Sequence, residues 1–256
     1  MTSSLIFCEN LTNNILGNWQ DPFPDPVIEE YSGIRVVRDD LLKYGSKVRF
    51  LDFLVRNISQ QEIVYGSSPR WGGAQLSLAK LCQMYNKKLV LFIADSKEMH
   101  PYTQMAKDLG ADVHQVPVGY LKVTEAKARN YVLDNSKSRY LIKIGGDHPE
   151  VLESIVRVAS KIEAPKRFFT VGSSGTLNRG LQLAWPGAEA HIISVGKALT
   201  PESAGRAIIH HSKYKFQQQT KKTERPPFPS SLEYDSKAWS FVIDLAEPGD
   251  LFWNVL

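Results

Sequence analysis

The chain has 256 residues, 43% of them hydrophobic and 23% charged, with a formal net charge of +4. That is room for one large domain or two small ones sharing a core, and the charge is too small to argue for nucleic acid by itself. The two cysteines, Cys8 and Cys82, form no Cys-x-x-Cys, which excludes a disulfide scaffold or cysteine zinc site and fits a reducing cytoplasm. No N-terminal stretch reads as a signal peptide, and no apolar run reaches the roughly 18 residues of a membrane span.

Residues 1–33 are punctuated by proline, as in Asp21-Pro22-Phe23-Pro24-Asp25-Pro26, and read as an irregular arm across the body or a partner subunit. Ile34 to Val37 predicts a strand. Two acids and a glycine turn follow, and Lys47 opens a helix to Asn57 with apolar residues at 50, 51, 53 and 54, the spacing of one helical face. Two readings stand for Lys47. It is a solvated first-turn lysine, or its amine is kept neutral by the helix dipole and is ready for Schiff-base chemistry.

The next segments alternate. A strand at 62–66 leads into the loop Ser67-Ser68-Pro69-Arg70-Trp71-Gly72-Gly73 and a helix at 74–85. Lys88 to Ala94 is a continuous apolar strand, as in a parallel sheet covered on both faces. A helix (101–109), a strand (112–116), a helix (123–134) and a strand (140–144) follow, the last running into Gly145-Gly146-Asp147-His148-Pro149. A helix at 150–162 then precedes a strand at 167–171, a Gly/Ser loop (Gly172, Ser173, Ser174, Gly175, Thr176), a helix at 177–184 and a strand at 191–195. Such alternation implies right-handed crossovers and a parallel α/β architecture, with ligands at the carboxyl ends of the strands.

The rhythm breaks at 196–232, where Pro201 to His211 reads as helical. His210 to Arg225 is basic, with Tyr214 and Phe216 interleaved. It is a solvated linker, or a lid or contact to an anionic substrate, DNA included. Ser236 to Leu245 predicts a final helix.

The loop at 172–176 is either a plain strand–helix turn or a phosphate cup, in which backbone N–H groups, hydroxyls and a helix N-terminus face one anion. It is neither Gly-x-x-x-x-Gly-Lys-Ser/Thr nor Gly-x-Gly-x-x-Gly. A Schiff-base lysine together with such a cup points to pyridoxal 5'-phosphate.

Asp39-Asp40-Leu41 with Gly45-Ser46-Lys47-Val48-Arg49 resembles the Asp-Asp-Leu … Gly-Asn-Lys-x-Arg-Lys segment of the aminocyclopropane-carboxylate deaminase and D-cysteine desulfhydrase group, within the tryptophan-synthase-β-like (fold type II) enzymes. Gly172 to Thr176 resembles that family's phosphate loop, and Glu233-Tyr234-Asp235-Ser236-Lys237-Ala238 its Tyr-Thr/Glu-Gly-Lys-Ala/Ser segment. The resemblance implies a two-lobed α/β fold with parallel sheets: 1–60 and 161–256 in a large cofactor domain, 61–160 in a smaller one.

It further implies that Lys47 carries the cofactor and shuttles the substrate's α-proton, that residues 172–176 hold the phosphate, and that Asp235 meets the pyridine nitrogen. Tyr234 would lie beside the substrate. Asp235 as a helix cap and Tyr234 as a core tyrosine remain alternatives, as does a structural role for His148, whose loop resembles a Gly-Gly-Ser segment near the family's active site.

One departure is plain. Where the family has Ser-Asn-His, this chain has Arg70-Trp71-Gly72-Gly73-Ala74-Gln75. The backbone of Gly72 and Gly73 is left to bind a carboxylate, with Arg70 and Trp71 as candidate substrate contacts.

The leading expectation is a pyridoxal-phosphate lyase or deaminase, a homodimer, acting on an amino acid or aminoacyl group by deamination, β-elimination or decarboxylation. The alternatives are an enzyme for an amino-acid-decorated nucleobase in DNA and a catalytically silent binding protein with the same fold.

Overall fold

The computed structural model describes residues 14–69, 71–117, 120–196 and 198–256. In chain order its elements are strands Ile28–Tyr31 (β1) and Ile34–Arg38 (β2), helices Lys47–Phe50 (α1) and Asp52–Asn57 (α2), strand Glu62–Tyr65 (β3), helix Ala74–Met84 (α3) and strand Lys88–Ala94 (β4). Helix Pro101–Asp108 (α4), strand Asp112–Val116 (β5), helix Leu121–Leu133 (α5), strand Arg139–Leu141 (β6) and helix Pro149–Ala159 (α6) follow. The remainder is strand Arg167–Gly172 (β7), helix Thr176–Ala184 (α7), strand Glu189–Ser194 (β8), helix Pro201–Ala204 (α8), strand Ile208–His211 (β9), helix Trp239–Leu245 (α9) and strand Leu251–Asn254 (β10).

Two sheets organise these elements. The larger has the order β1-β2-β10-β7-β8-β9, the smaller β5-β4-β3-β6. All pairs are parallel except β1–β2. In β4, Leu89 to Ile93 are all buried, as a strand covered on both faces requires. In α6, Val151, Leu152, Ile155, Val158 and Ala159 form the buried stripe of an amphipathic helix. Around β10 the Trp253 ring packs near Phe50 and Trp185. Every carboxyl-end loop of β3, β6 and β7 is thereby aimed at one region.

Three expectations change. The arm contains a strand, β1, whose alternately half-buried residues pair antiparallel with β2. The arm also packs on its own chain: Trp19 Nε1 donates to Asp52 Oδ2 (2.8 Å), and buried Arg49 pairs with Asp21 (3.2 Å) and donates to the Pro24 carbonyl (2.7 Å). The helix after Lys47 is broken at Leu51, where the Ser154 hydroxyl of α6 donates to the Phe50 carbonyl (2.9 Å), a side-chain insertion of the kind that interrupts helices. The segment read as a helix from Pro201 to His211 is a short helix and then a strand. A Thr200–Ser203 capping box starts α8, Gly205 at φ +62 ends it, and Ile208 to His211 join the sheet edge.

Among the described residues no helix is long and apolar enough to cross a membrane, and no His/Cys/Asp/Glu group could hold a metal ion.

Candidate active site

Two adjoining cavities lie between the sheets, of about 710 Å³ and about 480 Å³. Both are walled by Ser46, Lys47, Gly145, Ser174, Tyr234 and Val255. Lys47 enters at the first position of α1, after Gly45 at φ +75 turns the chain. The turn is anchored to the central strand's end by Ser46 N–H donating to the Val255 carbonyl (3.1 Å). Among the described wall residues, Lys47 alone has a charged side chain.

Its area is half-covered, and burial pushes the Lys47 ammonium below the usual lysine range, with Asp235 pulling it part of the way back. The shift toward the neutral amine therefore comes from desolvation. The dipole expected from sequence is a minor contributor, because α1 has only four residues.

The 172–176 loop lines the second cavity. Gly175 is left-handed (φ +74), and Thr176 starts α7, whose N-terminus faces in. The Ser174 and Thr176 hydroxyls lie 3.1 Å apart. Gly145 passes directly over them: a Cβ there would stand 1.9 Å from Ser174 Oγ. At Gly175 the added Cβ would strike the Ser203 carbonyl oxygen at 1.7 Å. Glycine at 175 thus serves close packing on α8 as well as turn geometry, and a bulky substitution there would test folding rather than phosphate binding. Ser173 faces the first cavity, and the Tyr234 hydroxyl donates to the neighbouring Val171 carbonyl (3.5 Å). These hydroxyls, bare turns and the N-terminus of a nine-residue helix suit a phosphate.

Tyr234 lines both cavities, and burial pushes its phenol well above the ordinary range, so it stays protonated as a donor. Tyr65, at the carboxyl end of β3, lines the first cavity and is shifted likewise. Asp235 is fully buried at the start of a 3-10 turn, just behind the wall. The Val255 and Leu256 backbone N–H groups approach its carboxylate, yet neither oxygen completes a well-formed hydrogen bond. Burial pushes its pKa far up, against the pull of those amides and of Lys47. It neither faces solvent nor caps its turn.

The departing loop is only partly as expected. Arg70 lies outside the described residues. Trp71, Gly72 and Gly73 line the first cavity. The Gly72 N–H, expected to be open for a carboxylate, already donates to the Pro69 carbonyl (2.8 Å). A Cβ on Gly73 would meet Leu256 Cδ2 at 2.7 Å, so glycine there admits the Leu256 side chain over the start of α3. His148 does not reach either cavity. It is buried, its Nε2 accepts from the Lys143 backbone (3.2 Å), and burial lowers its pKa, so it is a neutral brace for its loop. Gly145, three residues earlier, is the member of that loop on the wall.

Sequence reasoning passed over Tyr65, Ser67 and Ser68. Their place at the end of β3, where α/β ligands bind, was the available signal. It also passed over Phe216 as a wall residue. The 210–225 segment ends β9 and continues as an ordered loop with a 3-10 turn: Lys213 pairs with Glu224 (2.9 Å) and Thr220 N–H donates to Leu232 O (2.9 Å). Phe216 from this loop lines the first cavity.

Lys237 is 1% exposed, and burial pushes its ammonium down to about 8. In an unfolded chain it keeps the ordinary 10.5, so between those values the unfolded state binds more protons and stability rises with pH. Urea denaturation is expected to show wild type gaining on Lys237→Met from pH 8 toward 10.5. A flat or falling difference would contradict burial of this amine.

No family model matches the chain, and no curated protein matches its sequence. Solved structures do. An ACC deaminase homologue superposes with a TM-score of 0.80 at 15% identity, over 92% of this chain and 90% of its own. Serine racemase from Dictyostelium discoideum gives 0.61 at 13% identity, over 98% and 96%. Diaminopropionate ammonia lyase from Escherichia coli gives 0.63 at 10% identity, over 97% and 85%. The chain has the fold these structures share, that of the fold type II pyridoxal-phosphate enzymes.

Proposed function

We propose that this chain is a pyridoxal-phosphate enzyme that acts on an amino acid or aminoacyl group by deaminase or lyase chemistry. One observation carries the reading: the Lys47 amine and the anion cup of α7 open into the same pair of cavities. The neighbours support the general chemistry, since they include a deaminase homologue and an ammonia lyase of this fold.

The residues fit the cofactor. The cup matches a phosphate, the desolvated amine matches a Schiff-base partner, and the buried Asp235 carboxyl, short of hydrogen bonds, matches a ring nitrogen. Bound there, pyridoxal phosphate supplies a carbonyl for Schiff-base formation and a ring that draws electrons from a substrate's α-carbon.

The chain's own groups do the rest. Lys47 Nζ, its ammonium disfavoured by burial, takes and returns a proton at the α-carbon. Tyr234 and Tyr65, held protonated, donate over long distances to the Val171 (3.5 Å) and Ser67 (3.3 Å) carbonyls, and their hydroxyls turn from these to a bound substrate. Trp71 and Phe216 exclude water from the first cavity.

A second reading, in which the amino acid is borne by a DNA base, is favoured by the placement of a basic segment at the wall through Phe216. Salt-sensitive DNA binding by the purified chain would support that one. The test of the first is optical: protein incubated with the cofactor acquires a visible absorbance band that borohydride bleaches. A colourless protein that takes up no cofactor refutes the proposal.

A further inference from the structure

We propose that Phe216 sets the largest amino-acid side chain the site accepts, and that Lys237 is the positioning residue that holds it there. The inference rests on the amino-acid reading above. The first cavity shares four wall residues, Ser68, Pro69, Trp71 and Phe216, with an outer groove of about 1040 Å³ that reaches Asp95 and Tyr120 beyond the carboxyl end of β4. Three of the four belong to the β3–α3 loop. Phe216 alone comes from the opposite side, so its ring closes the partition.

Three contacts fix that ring. It meets Trp71 edge-on, with centroids 5.4 Å apart and planes at 62°. Its far side rests on Gly196, where a Cβ would lie 2.8 Å from two ring carbons. Its main chain is held by Lys237, whose Nζ donates to the carbonyls of Lys215 (3.0 Å) and Phe216 (2.9 Å).

Lys237 makes no ion pair among the described residues. Burying an amine without a counter-charge is unfavourable, and an apolar side chain of similar length would fill the space without that penalty. What the amine adds is two N–H donors for two successive carbonyls of one loop. A substrate side chain longer than the first cavity would have to displace Phe216 to enter the groove. Small amino acids are therefore the favoured class, and bulky aromatic ones are turned away.

The experiment uses the full chain with cofactor added, as wild type, Phe216→Ala, Lys237→Met and the double variant. Calorimetric titration with alanine and with phenylalanine, in both configurations, gives an affinity ratio. Phe216→Ala is expected to move that ratio toward phenylalanine by about tenfold, the scale of hydrophobic-pocket discrimination. Lys237→Met moves it the same way, and the double variant no further than Phe216→Ala, because both changes open one wall.

Acrylamide quenching reads the wall without any substrate. Trp71 is half-buried whereas Trp19, Trp185, Trp239 and Trp253 are buried. The quenchable fraction rises in both single variants and disappears in Trp71→Phe.

An unchanged ratio in Phe216→Ala overturns the size limit. Unchanged quenching in Lys237→Met, or additive effects in the double variant, overturns the positioning role. If no variant binds either amino acid, the size limit falls together with the amino-acid reading. A size shift without a borohydride-sensitive band refutes only the cofactor.

Discussion

Lys47→Ala is expected to lose the borohydride-sensitive absorbance and to lower turnover on the order of 10³-fold or more, the scale of losing a positioned acid–base group that is also the covalent anchor. Lys47 is the only charged side chain on the described walls of the two cavities, so no second amine is placed to replace it. Lys47→Arg should fare no better, because a guanidinium stays protonated in proteins. After borohydride reduction and digestion, the added mass should appear on the peptide that contains Lys47. Mass on a peptide with Lys237 instead would assign the chemistry to the other buried lysine.

Asp235→Ala is expected to move stability and turnover in opposite directions. Both carboxyl oxygens are buried without a well-formed hydrogen bond. An unsatisfied buried polar group costs about 1–3 kcal/mol, so the cofactor-free variant should resist urea better than wild type. Turnover should fall at least about 10²-fold if Asp235 has the proposed place at the ring nitrogen, while Lys47 and the cup remain to keep the cofactor. Asp235→Glu should be milder. A variant that is less stable and fully active would make Asp235 an ordinary core residue. Such opposed effects are usual where an active site holds a group the fold alone would not choose.

Much of this was legible in the sequence wherever a single physical signal dominated. The apolar run at 88–94 and the strand at 112–116 have the bounds the residues suggest, and Gly45 and Gly175 sit at left-handed positions beside Lys47 and Thr176. What escaped depended on partners far along the chain. β1 hid in a proline-rich arm because only its pairing with β2 makes it a strand. The break at Leu51 needs Ser154, 104 residues from the Phe50 it contacts. β9 was masked by the good helix start at Thr200, and Gly205 was the overlooked stop. His148 was a candidate because its loop resembles a segment near the family's active site, yet the structural alternative holds, and Gly145 of the same loop is what lines the wall. Phe216 lay in a stretch read for its charge, although its ring is what reaches the site.

The placement of β10 has a kinetic consequence. It lies in the middle of the larger sheet, between β2 and β7, and Trp253 donates to Asp39 across 214 positions of sequence. Until β10 pairs, β2 and β7 face each other across an unfilled slot, and the Ser46 amide beside Lys47 lacks its Val255 partner. Closing so long a loop costs entropy that grows with the logarithm of its length, and sheets built from distant strands form slowly. Lys47, just after β2, and the loop after β7 are therefore brought together only when β10 pairs with both strands. The covering of the Lys47 amine is thus tied to the pairing of one strand that is distant in sequence.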